Sequence, residues 1–418
     1  MLDIKFIREN PEKVQEASKN KGIELNLHHL IEIDEKYREA LMQLQTFQEE
    51  RNSNNKETKG KPTDEQIVKG KELKEKMETI EKVVAELKEE LDGWLGKIPN
   101  PAKADVKVGK NESENDVIKT VGKPKEFSFQ PKDHLALGEA LDMIDVERAA
   151  KTSGTRFYYL KNDAVLLEFA LKQFAFETLI REGFTPILPP VLIKKESMQA
   201  LGYMENGGEE DMYHLEKDDL YLVGTAEQSI VPMHKNEVFE SSELPKRYVG
   251  FSPSFRREAG SYGKDTRGII RVHQFDKVEM VSYVKTNEDD QELAYLLSLE
   301  EKFLQALDLP YQVIKMCTGD LGFPAAKKYD IEVWMPTQNK YRELTSVSTT
   351  TDFQARRLAI KYREQGKTDF VNILNGTVFS SRPIAVILEN YQQEDGSVIV
   401  PEVLRKYMGK DVIKSSTK

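Results

Sequence analysis

The amino-acid sequence predicts an α+β protein in which an N-terminal antiparallel helical hairpin precedes a larger domain built on a largely antiparallel β-sheet flanked by helices. Three observations predict this class. A heptad pattern of apolar residues is confined to the first third of the chain. Consecutive short segments of alternating apolar and polar residues follow it. The strict strand–helix alternation of a parallel sheet is missing, and 418 residues suffice for two or three domains.

The heptad pattern occupies two segments. Apolar residues recur at spacings of three and four from Leu30 to Phe47 and again from Leu73 to Trp94, as at the a and d positions of a coiled coil. The polar stretch between the segments contains Gly60 and Pro62, which favour a reversal of the chain. We therefore predict one hairpin of two long helices. A coiled coil between two copies of the chain is the alternative that the pattern leaves open.

Charge is unevenly distributed along this arm. The whole chain has a net charge of −10, which by itself disfavours a nucleic-acid partner. Residues 51–76, however, contain eight Lys or Arg and five Asp or Glu. A basic tip on a long arm predicts contact with a polyanion. The candidate residues for that contact are Arg51, Lys56, Lys59, Lys61, Lys69 and Lys71.

Proline marks the end of the arm. Pro99 and Pro101 cannot continue a helix, so we expect an arm domain at 1–105, a linker and entry segment at 106–135, and the larger domain at 136–418. Inside the larger domain, a helix is expected from Asp163, as N-cap, to Arg181. Further helices are expected at about 287–307 and 352–363.

Composition excludes several classes of protein. Cys317 is the only cysteine, so neither a disulfide framework nor a cysteine-rich metal site is possible, and the scattered histidines disfavour a zinc site. No run of about 18 apolar residues exists, and the N-terminus lacks the apolar core of a signal peptide. We expect a cytoplasmic protein with no membrane partner.

Alternation of polar and apolar residues along two predicted strands indicates where a functional site lies. Segments 248–258 and 271–283 each place charged or polar residues on one face and apolar residues on the other. If the two strands pair as a hairpin, they bring charged and aromatic side chains onto one surface. These are Arg256, Glu258, Arg271, Phe275 and Glu279. The alternative from the pattern alone is a solvated outer face of the sheet.

The common nucleotide-binding fingerprints are absent. The loop after the first of these strands resembles a phosphate-binding loop only in part, since Glu258 and Asp265 occupy the positions where that pattern needs Gly and Ser or Thr. No GxGxxG segment opens a helix after a strand. A nucleotide would therefore bind on the sheet.

At this point the motifs resemble those of a known family. FRREAGSYGKDTRGIIRVHQFDKVEM, within a segment of about 248–283, resembles motif 2 of the class II aminoacyl-tRNA synthetases in its seryl-tRNA synthetase form. The segment of about 164–192, ending in GFTPILPPVL, resembles motif 1, and 374–392 resembles motif 3. LVGTAEQSI at 222–230 and the segment 341–357 resemble the serine and nucleotide segments of the family. The resemblance covers almost the whole chain.

The resemblance implies a class II catalytic domain at 136–418 and an enzyme that is a serine–tRNA ligase. Such an enzyme activates L-serine with ATP and Mg²⁺, releases pyrophosphate and transfers serine to the 3′ end of tRNA(Ser), with tRNA(Sec) as a further expected substrate. It also implies a homodimer through motif 1 and no DNA partner.

The resemblance implies roles for individual residues. The catalytic residues would be Arg256, Glu343 and Arg382. The residues that bind L-serine would be Thr225, Ala226, Glu227, Arg256, Glu279 and Thr377. The residues that bind ATP would be Arg256, Arg257, Glu258, Val272, Phe275, Glu343, Leu344, Thr345, Ser346 and Arg382. Glu343 would also hold Mg²⁺.

These roles differ in their chemistry. Arg256 would bridge the α-phosphate and the serine carboxylate. Glu258 would accept from the adenine amino group, and Phe275 would stack on the adenine ring. Glu279 would accept from the serine ammonium, and Arg382 would cover the other face of the adenine and reach the γ-phosphate.

The chain departs from the family pattern in one place that matters here. Six residues separate Asn375 from Arg382, where the pattern usually has seven. Two other functions stay open on the sequence: a paralogue without catalysis that serves as a binding protein, and a ligase that loads an amino acid onto a carrier protein. Retention of the charged motif residues argues against the first, and the long arm with a single cysteine argues against the second.

Overall fold

The structure is a computed structural model that describes residues 2–57, 62–205, 207–259 and 267–415. It divides into two compact units, Met1–Pro99 and Asn100–Lys418. Among the described residues, no helix combines the length and apolar character needed to cross a membrane.

The N-terminal unit is helical. Its helices are α1 (Ile4–Glu9), α2 (Pro11–Asn20), α3 (Leu27–Glu57) and α4 (Asp64–Gly96). Thr63 caps α4 because its side chain accepts from the Gln66 amide while the Gln66 side chain accepts from the Thr63 amide. Helices α3 and α4 each extend about 45–50 Å at 1.5 Å per residue.

The two long helices pack against each other in antiparallel orientation. His29 lies against Trp94, Lys76 lies over the ring of Phe47, and the side chain of Asn54 donates to the Gln66 carbonyl. The predicted a/d residues Leu30, Ile33, Leu73, Met77 and Leu91 are buried. The predicted hairpin is therefore confirmed, and the seam is satisfied within one chain.

The second unit contains the helices α5 to α13. Their bounds are α5 (His134–Ala140), α6 (Val146–Ser153), α7 (Asp163–Arg181), α8 (Lys195–Leu201), α9 (Glu227–Ile230), α10 (Asp289–Ala306), α11 (Phe353–Leu358), α12 (Arg382–Tyr391) and α13 (Glu402–Met408). The strands are β1 (Asp116–Val121), β2 (Ile144–Asp145), β3 (Tyr159–Leu160), β4 (Thr185–Ile187), β5 (Leu192–Lys194), β6 (His214–Leu215), β7 (Leu220–Leu222), β8 (Val238–Glu240), β9 (Lys246–Phe255), β10 (Gln274–Val284), β11 (Tyr311–Lys315), β12 (Lys327–Met335), β13 (Lys340–Thr349), β14 (Lys361–Glu364), β15 (Lys367–Phe370), β16 (Asn372–Phe379), β17 (Val398–Ile399) and β18 (Val412–Ile413).

An eight-stranded sheet organises this unit, in the order β1-β11-β12-β13-β16-β10-β9-β4. All neighbouring pairs in it are antiparallel except β4 and β9, which are parallel. The predicted α+β class with a largely antiparallel sheet is confirmed. Strand β1 lies within the segment 106–135 that was predicted as linker and entry, and it pairs with β11 at the edge of the sheet.

The main core lies between the sheet and helices α7, α10 and α12. Phe174, Phe303 and Phe379 meet there with ring centroids 5.3–6.4 Å apart. Val278 and Met280 of β10 are buried in the same cluster. Because successive residues of a strand face opposite sides, the odd-numbered residues of β10 point to the other face of the sheet, where the candidate site lies.

Two local predictions are wrong. Helix α7 starts at Asp163 itself and has Asn162 as its N-cap residue, so Asp163 is the first helical residue rather than the cap. The helix expected at 352–363 ends at Leu358 because Ala359 adopts a left-handed conformation with φ of 54°, which terminates a helix. Residues 361–364 then form strand β14, which pairs with β15 and β8.

Candidate active site

A hairpin of strands β9 and β10 forms the floor of the site. Phe275 pairs with Ser254 and Glu279 with Gly250, so the predicted pairing is confirmed. Lys277 and Glu279 are only 8% and 1% exposed. The alternative of a solvated outer face is therefore wrong for this row, since buried charges must be paired by other groups of the protein or by a ligand.

Two adjoining cavities open over this floor. The first has a volume of about 180 Å³ and the second of about 350 Å³. Both are lined by Arg256, Lys277, Lys328 and Ser346, which therefore mark the boundary between them. The predicted ATP residues in the wall of the first cavity are Arg256, Glu258, Val272, Phe275, Glu343, Leu344, Thr345, Ser346 and Arg382. The predicted serine residues in the wall of the second are Thr225, Glu227, Arg256 and Glu279.

The charged side chains at the end of the hairpin are each held by neighbouring groups of the protein. Glu258 has a left-handed backbone with φ of 56°, and its carboxylate accepts from Arg271 at 2.7 Å. The guanidinium of Arg256 lies 5.3 Å from the centre of the Phe275 ring, and its Nε donates to the Gly224 carbonyl at 3.3 Å. The predicted surface thus includes three residues that lie beyond the strand ends, where the chain turns: Arg256, Glu258 and Arg271.

Arg382 lies at the start of helix α12, across the first cavity. Its Nε donates to the Ile270 carbonyl at 3.2 Å, and its Nη1 donates to the carbonyl and the carboxylate of Glu343 at 2.9 and 3.2 Å. Pro383 follows as the second helical residue. The guanidinium is thus held over the cavity by main-chain and side-chain acceptors.

Glu343 supplies the carboxylate nearest to this guanidinium. Desolvation opposes its ionisation, but the positive charges of Arg382 and Lys328 outweigh that effect and hold the pKa of the Glu343 carboxyl well below its ordinary value. The neighbouring carboxyl of Asp330 behaves in the opposite way, since burial raises its pKa. Glu343 therefore stays ionised, and Thr345 and Ser346 lie in the wall of the same cavity.

The second cavity has a buried acidic end. The Lys277 ammonium lies 2.6 Å from the Glu279 carboxylate and 3.1 Å from the Thr225 hydroxyl. Tyr203 and Gln354 donate to the other acid, Glu227, at 2.8 and 3.0 Å. Burial, and then the charge of Glu279, raise the pKa of the Glu227 carboxyl. Two acids and one lysine leave this end of the cavity suited to a second cation, while Arg256 and Lys328 line other parts of its wall.

A bulge in the sheet brings Thr377 to the same place. The register between β10 and β16 shifts by one residue between the pairs Val278–Phe379 and Glu279–Thr377. The Thr377 hydroxyl consequently lies 3.4 Å from the Glu279 carboxylate. Thr377 also lines the first cavity, and the shortened segment to Arg382 spans the end of β16 and the first residue of α12.

Two predicted site residues line neither of these cavities. Ala226 is fully buried in the core packed against β9 and β10. The Arg257 guanidinium lies 5.6 Å from the centre of the Tyr213 ring, in the wall of a third cavity shared with Glu258 and His273. Residues 260–266, the part of motif 2 that resembles a phosphate-binding loop, lie outside the described residues.

The basic candidates of the arm belong to the first unit. Arg51 and Lys56 on α3 and Lys69 and Lys71 on α4 are exposed. Lys59 and Lys61 lie outside the described residues.

Sequence reasoning missed the two lysines at the boundary of the cavities. Lys277 carried a usable signal, since it lies on the same alternating face as Phe275 and Glu279. Lys328 lies on β12, and nothing in its local pattern separates it from an exposed lysine at a strand end. Tyr203 and Gln354 were missed because they reach Glu227 from helices or turns distant in the chain.

Comparison with known proteins bears on this arrangement. Residues 1–102 match the model of the seryl-tRNA synthetase N-terminal domain, and residues 212–391 match the tRNA synthetase class II core domain (G, H, P, S and T). A serine–tRNA ligase of Thermobifida fusca is 44% identical over 418 residues, covering 99% of each chain, and one of Petrotoga mobilis is 44% identical over 424 residues, covering 99% of this chain and 100% of its own. The crystal structure of seryl-tRNA synthetase from Pyrococcus horikoshii complexed with ATP superposes with a TM-score of 0.91 at 40% identity and full coverage of both chains. These matches span both units and the residues around both cavities, and the chain belongs to the seryl-tRNA synthetase family of class II aminoacyl-tRNA synthetases.

Proposed function

We propose that this chain is a serine–tRNA ligase, which joins L-serine to ATP as seryl-adenylate and then transfers the seryl group to tRNA(Ser). The observation that carries the proposal is the pair of adjoining cavities, one walled by arginines and the other by buried acids, with Arg256 between them. The curated relatives that match the whole chain bear this name. The retained charged residues give no support to a paralogue without catalysis.

ATP is expected in the first cavity. Phe275 offers a ring for the adenine, and Glu258 offers an acceptor for its amino group. Arg256 and Arg382 supply the positive charge that a triphosphate needs. The relative from Pyrococcus horikoshii, which was crystallised with ATP, supports this assignment.

The residues at the phosphate side also suit Mg²⁺. A magnesium ion prefers one or two carboxylate oxygens together with phosphate oxygens and water. Glu343 is an ionised carboxylate, and the Ser346 hydroxyl lies in the wall of the same cavity. Glu343 would hold the ion, with Ser346 beside it, and a bound Mg²⁺ would neutralise charge on the phosphates.

L-Serine is expected in the second cavity. The carboxylate of Glu279 would accept from the serine ammonium, beside the Lys277 ammonium that it already binds. Thr225 and Glu227 would close this end. The Thr377 hydroxyl, which lies 3.4 Å from the Glu279 carboxylate, would contact the serine hydroxyl. A pocket that hydrogen-bonds the substrate hydroxyl rejects alanine, because its own buried polar groups would then be left unpaired.

The first step needs positioning rather than a protein nucleophile. The serine carboxylate oxygen attacks the α-phosphorus in line, and the bond to pyrophosphate breaks as the new P–O bond forms. Arg256 lies where the two cavities meet, so its planar guanidinium can bind the attacking carboxylate and the α-phosphate together and stabilise the charge that develops there. The 3′ end of the tRNA then attacks the carbonyl carbon, and AMP leaves.

The helical arm is the proposed tRNA-binding element. Its exposed basic residues lie near the end of the hairpin, and apolar residues of the a/d seam are buried between its two helices. Structured RNA is read largely through its shape and its backbone, which suits a long helical hairpin with a basic tip. We assign residues 1 to about 105 to this role, and extend the expected substrates to tRNA(Sec) by family resemblance.

The test of the proposed function is exchange of labelled pyrophosphate into ATP. We expect exchange with serine and at least a hundredfold less with alanine, glycine, threonine or cysteine, about the discrimination that an unpaired buried polar group or a steric clash provides. Exchange driven best by another amino acid would remove the serine assignment. Exchange with none of them would favour the paralogue without catalysis.

A homodimer through motif 1 is also proposed, from an exposed apolar face. Leu166 and Phe169 on α7 are 47% and 61% exposed, and Leu188 in the following loop is 76% exposed. Contiguous exposed apolar residues mark interaction surfaces. The matching motif 1 residues of a second copy would cover them.

Phe169→Asp is expected to convert this dimer into a monomer at micromolar concentration, since it places a charge among the exposed apolar residues that a second copy would cover. Sedimentation velocity measures the result. Val238→Asp is the matched control, because Val238 is an exposed apolar residue on β8, outside motif 1. A Phe169→Asp protein that sediments as the wild type does would show that this face is not the dimer interface.

A further inference from the structure

We propose that His134 is a positioning residue that holds the Ile269–Ile270 segment, and through it Arg382, at the nucleotide cavity. The inference rests on the proposed function, since it assumes that the first cavity binds ATP. His134 is the first residue of α5 and is 5% exposed. It lines neither cavity, so it would act through other groups and not by contact with a substrate.

A buried carboxylate fixes one side of the His134 ring. Glu389 on α12 is 0% exposed, and one of its oxygens lies 2.9 Å from His134 Nδ1 and accepts from the His134 amide at 3.1 Å. The other oxygen accepts from the amide and the hydroxyl of Thr337 at 3.3 and 2.6 Å. The Glu389 carboxylate is thus an acceptor on both of its oxygens. Because His134 Nδ1 lies against one of these acceptors, His134 carries its proton on Nδ1.

The opposite side of the ring then presents an acceptor. With the proton on Nδ1, the lone pair of Nε2 is available, and the Ile269 amide donates to it at 3.4 Å. Ile269 itself is 1% exposed, so its amide needs this partner. Gly268 packs so tightly on the ring that a Cβ there would lie 2.0 Å from Nε2, and its φ of 79° is left-handed.

The segment held by His134 lies at the nucleotide cavity. Ile269 and Ile270 both line the cavity. The Ile270 carbonyl accepts from Nε of Arg382, whose Nη1 donates to Glu343. A chain of contacts therefore runs from Glu389 through His134 and the Ile269–Ile270 backbone to the guanidinium proposed to bind ATP. The first and last residues of this series of contacts, Glu389 and Arg382, both lie on α12, so one helix holds both of them.

Two substitutions of His134 separate the contribution of its Nδ1 hydrogen bond from that of its Nε2 hydrogen bond. The amide nitrogen of Asn can take the place of Nδ1 and the amide oxygen of Gln that of Nε2, so His134→Asn keeps the donor to Glu389 and His134→Gln keeps the acceptor for Ile269. We expect His134→Asn to raise the KM for ATP about five- to tenfold, the effect of one lost hydrogen bond, while the KM for serine changes less than twofold. We expect His134→Gln to retain the KM for ATP and to lower the melting temperature.

Amide hydrogen exchange supplies a readout that does not depend on activity. Exchange at Ile269 should accelerate in His134→Asn and stay near the wild-type rate in His134→Gln. His234→Asn is the matched control, since His234 also places Nδ1 at a carboxylate, Glu237, and Nε2 at another partner, the Tyr248 hydroxyl, but lies away from both cavities. It should change neither exchange at Ile269 nor the KM for ATP.

The outcomes distinguish this inference from the proposed function. Absence of serine-dependent pyrophosphate exchange in the wild-type protein would overturn the proposed function and its ATP assignment. The rates of amide hydrogen exchange at Ile269 would still show whether His134 holds the Ile269 amide. Equal changes in both KM values, or an Asn and a Gln variant that behave alike, would overturn the positioning role and leave His134 as a stabilising residue only.

Discussion

Glu279→Ala is expected to raise the KM for serine about ten- to a hundredfold, the cost of a lost charge-assisted hydrogen bond, and to leave the KM for ATP within about twofold. Glu279 is 1% exposed at the acidic end of the second cavity, and it forms no part of the first cavity's wall. Removing the carboxylate takes away the proposed acceptor for the serine ammonium. Pyrophosphate exchange at varied serine and ATP concentrations measures both constants.

The same substitution also leaves the Lys277 ammonium without its ion-pair partner, so the protein will lose stability as well as serine affinity. Glu292→Ala is the matched control, because Glu292 is equally buried, at 5% exposed, and pairs with Arg247 at 2.6 Å away from both cavities. It should lower the melting temperature without raising the KM for serine. Equal rises in the serine and ATP constants for Glu279→Ala would show that Glu279 is not the ammonium acceptor.

Much of the site's floor could be predicted because alternation along a strand is a local property. Phe275 and Glu279 lie two pleats apart on β10, so the sequence alone places them on one face. The same rule applied to Lys277 would have placed that lysine between them. Glu258 follows a different rule, since it reaches its place through a left-handed turn held by Arg271. A period of two cannot predict such a turn.

Contacts between distant segments were beyond the sequence pattern. Glu343 meets Arg382 because β13 and β16 are neighbours in the sheet, and His134 meets Glu389 across 255 residues. The shift in register that brings Thr377 to Glu279 depends on one bulged residue of β16. Only the assembled fold brings these residues together. The resemblance to a known family proposed Glu343, Arg382, Thr377 and Glu279 beforehand, but it pointed to neither His134 nor Glu389.

The helical arm was easier to predict than the helices of the second unit. A seam of apolar residues at spacings of three and four identifies α3 and α4 without tertiary information. Helix α11 is different, because its end is set by the left-handed Ala359 and by the pairing of β14 with β8 and β15. Tertiary pairing of that kind overrides local helix preference.

Replacement of residues 42–81 by a short Gly/Ser linker is expected to abolish aminoacylation of tRNA, since basic groups that neutralise RNA phosphates dominate RNA binding. Serine-dependent pyrophosphate exchange should survive within about threefold. The contacts of His29 with Trp94 and of Phe47 with Lys76 place residues 41 and 82 opposite each other, so a short linker can join them. The cut spares the buried cluster at the base of the hairpin, which includes Leu30, Ile33 and Leu91. The residues that line both cavities lie between Tyr203 and Arg382, outside the replaced segment.

Removing positive charge from the tip separates the contribution of charge from that of shape. Substitution of Arg51, Lys56, Lys69 and Lys71 by Gln leaves the a/d seam intact, because these side chains are exposed. If the tip binds RNA through its charge, this variant will show a raised KM for tRNA and a shallower dependence of that KM on salt, since fewer counterions are released on binding. A truncated protein that charges tRNA with undiminished efficiency would show that the arm is not the tRNA-binding element. A truncated protein that fails in exchange as well would show that the arm supports the catalytic unit, because none of the cavity residues has been removed.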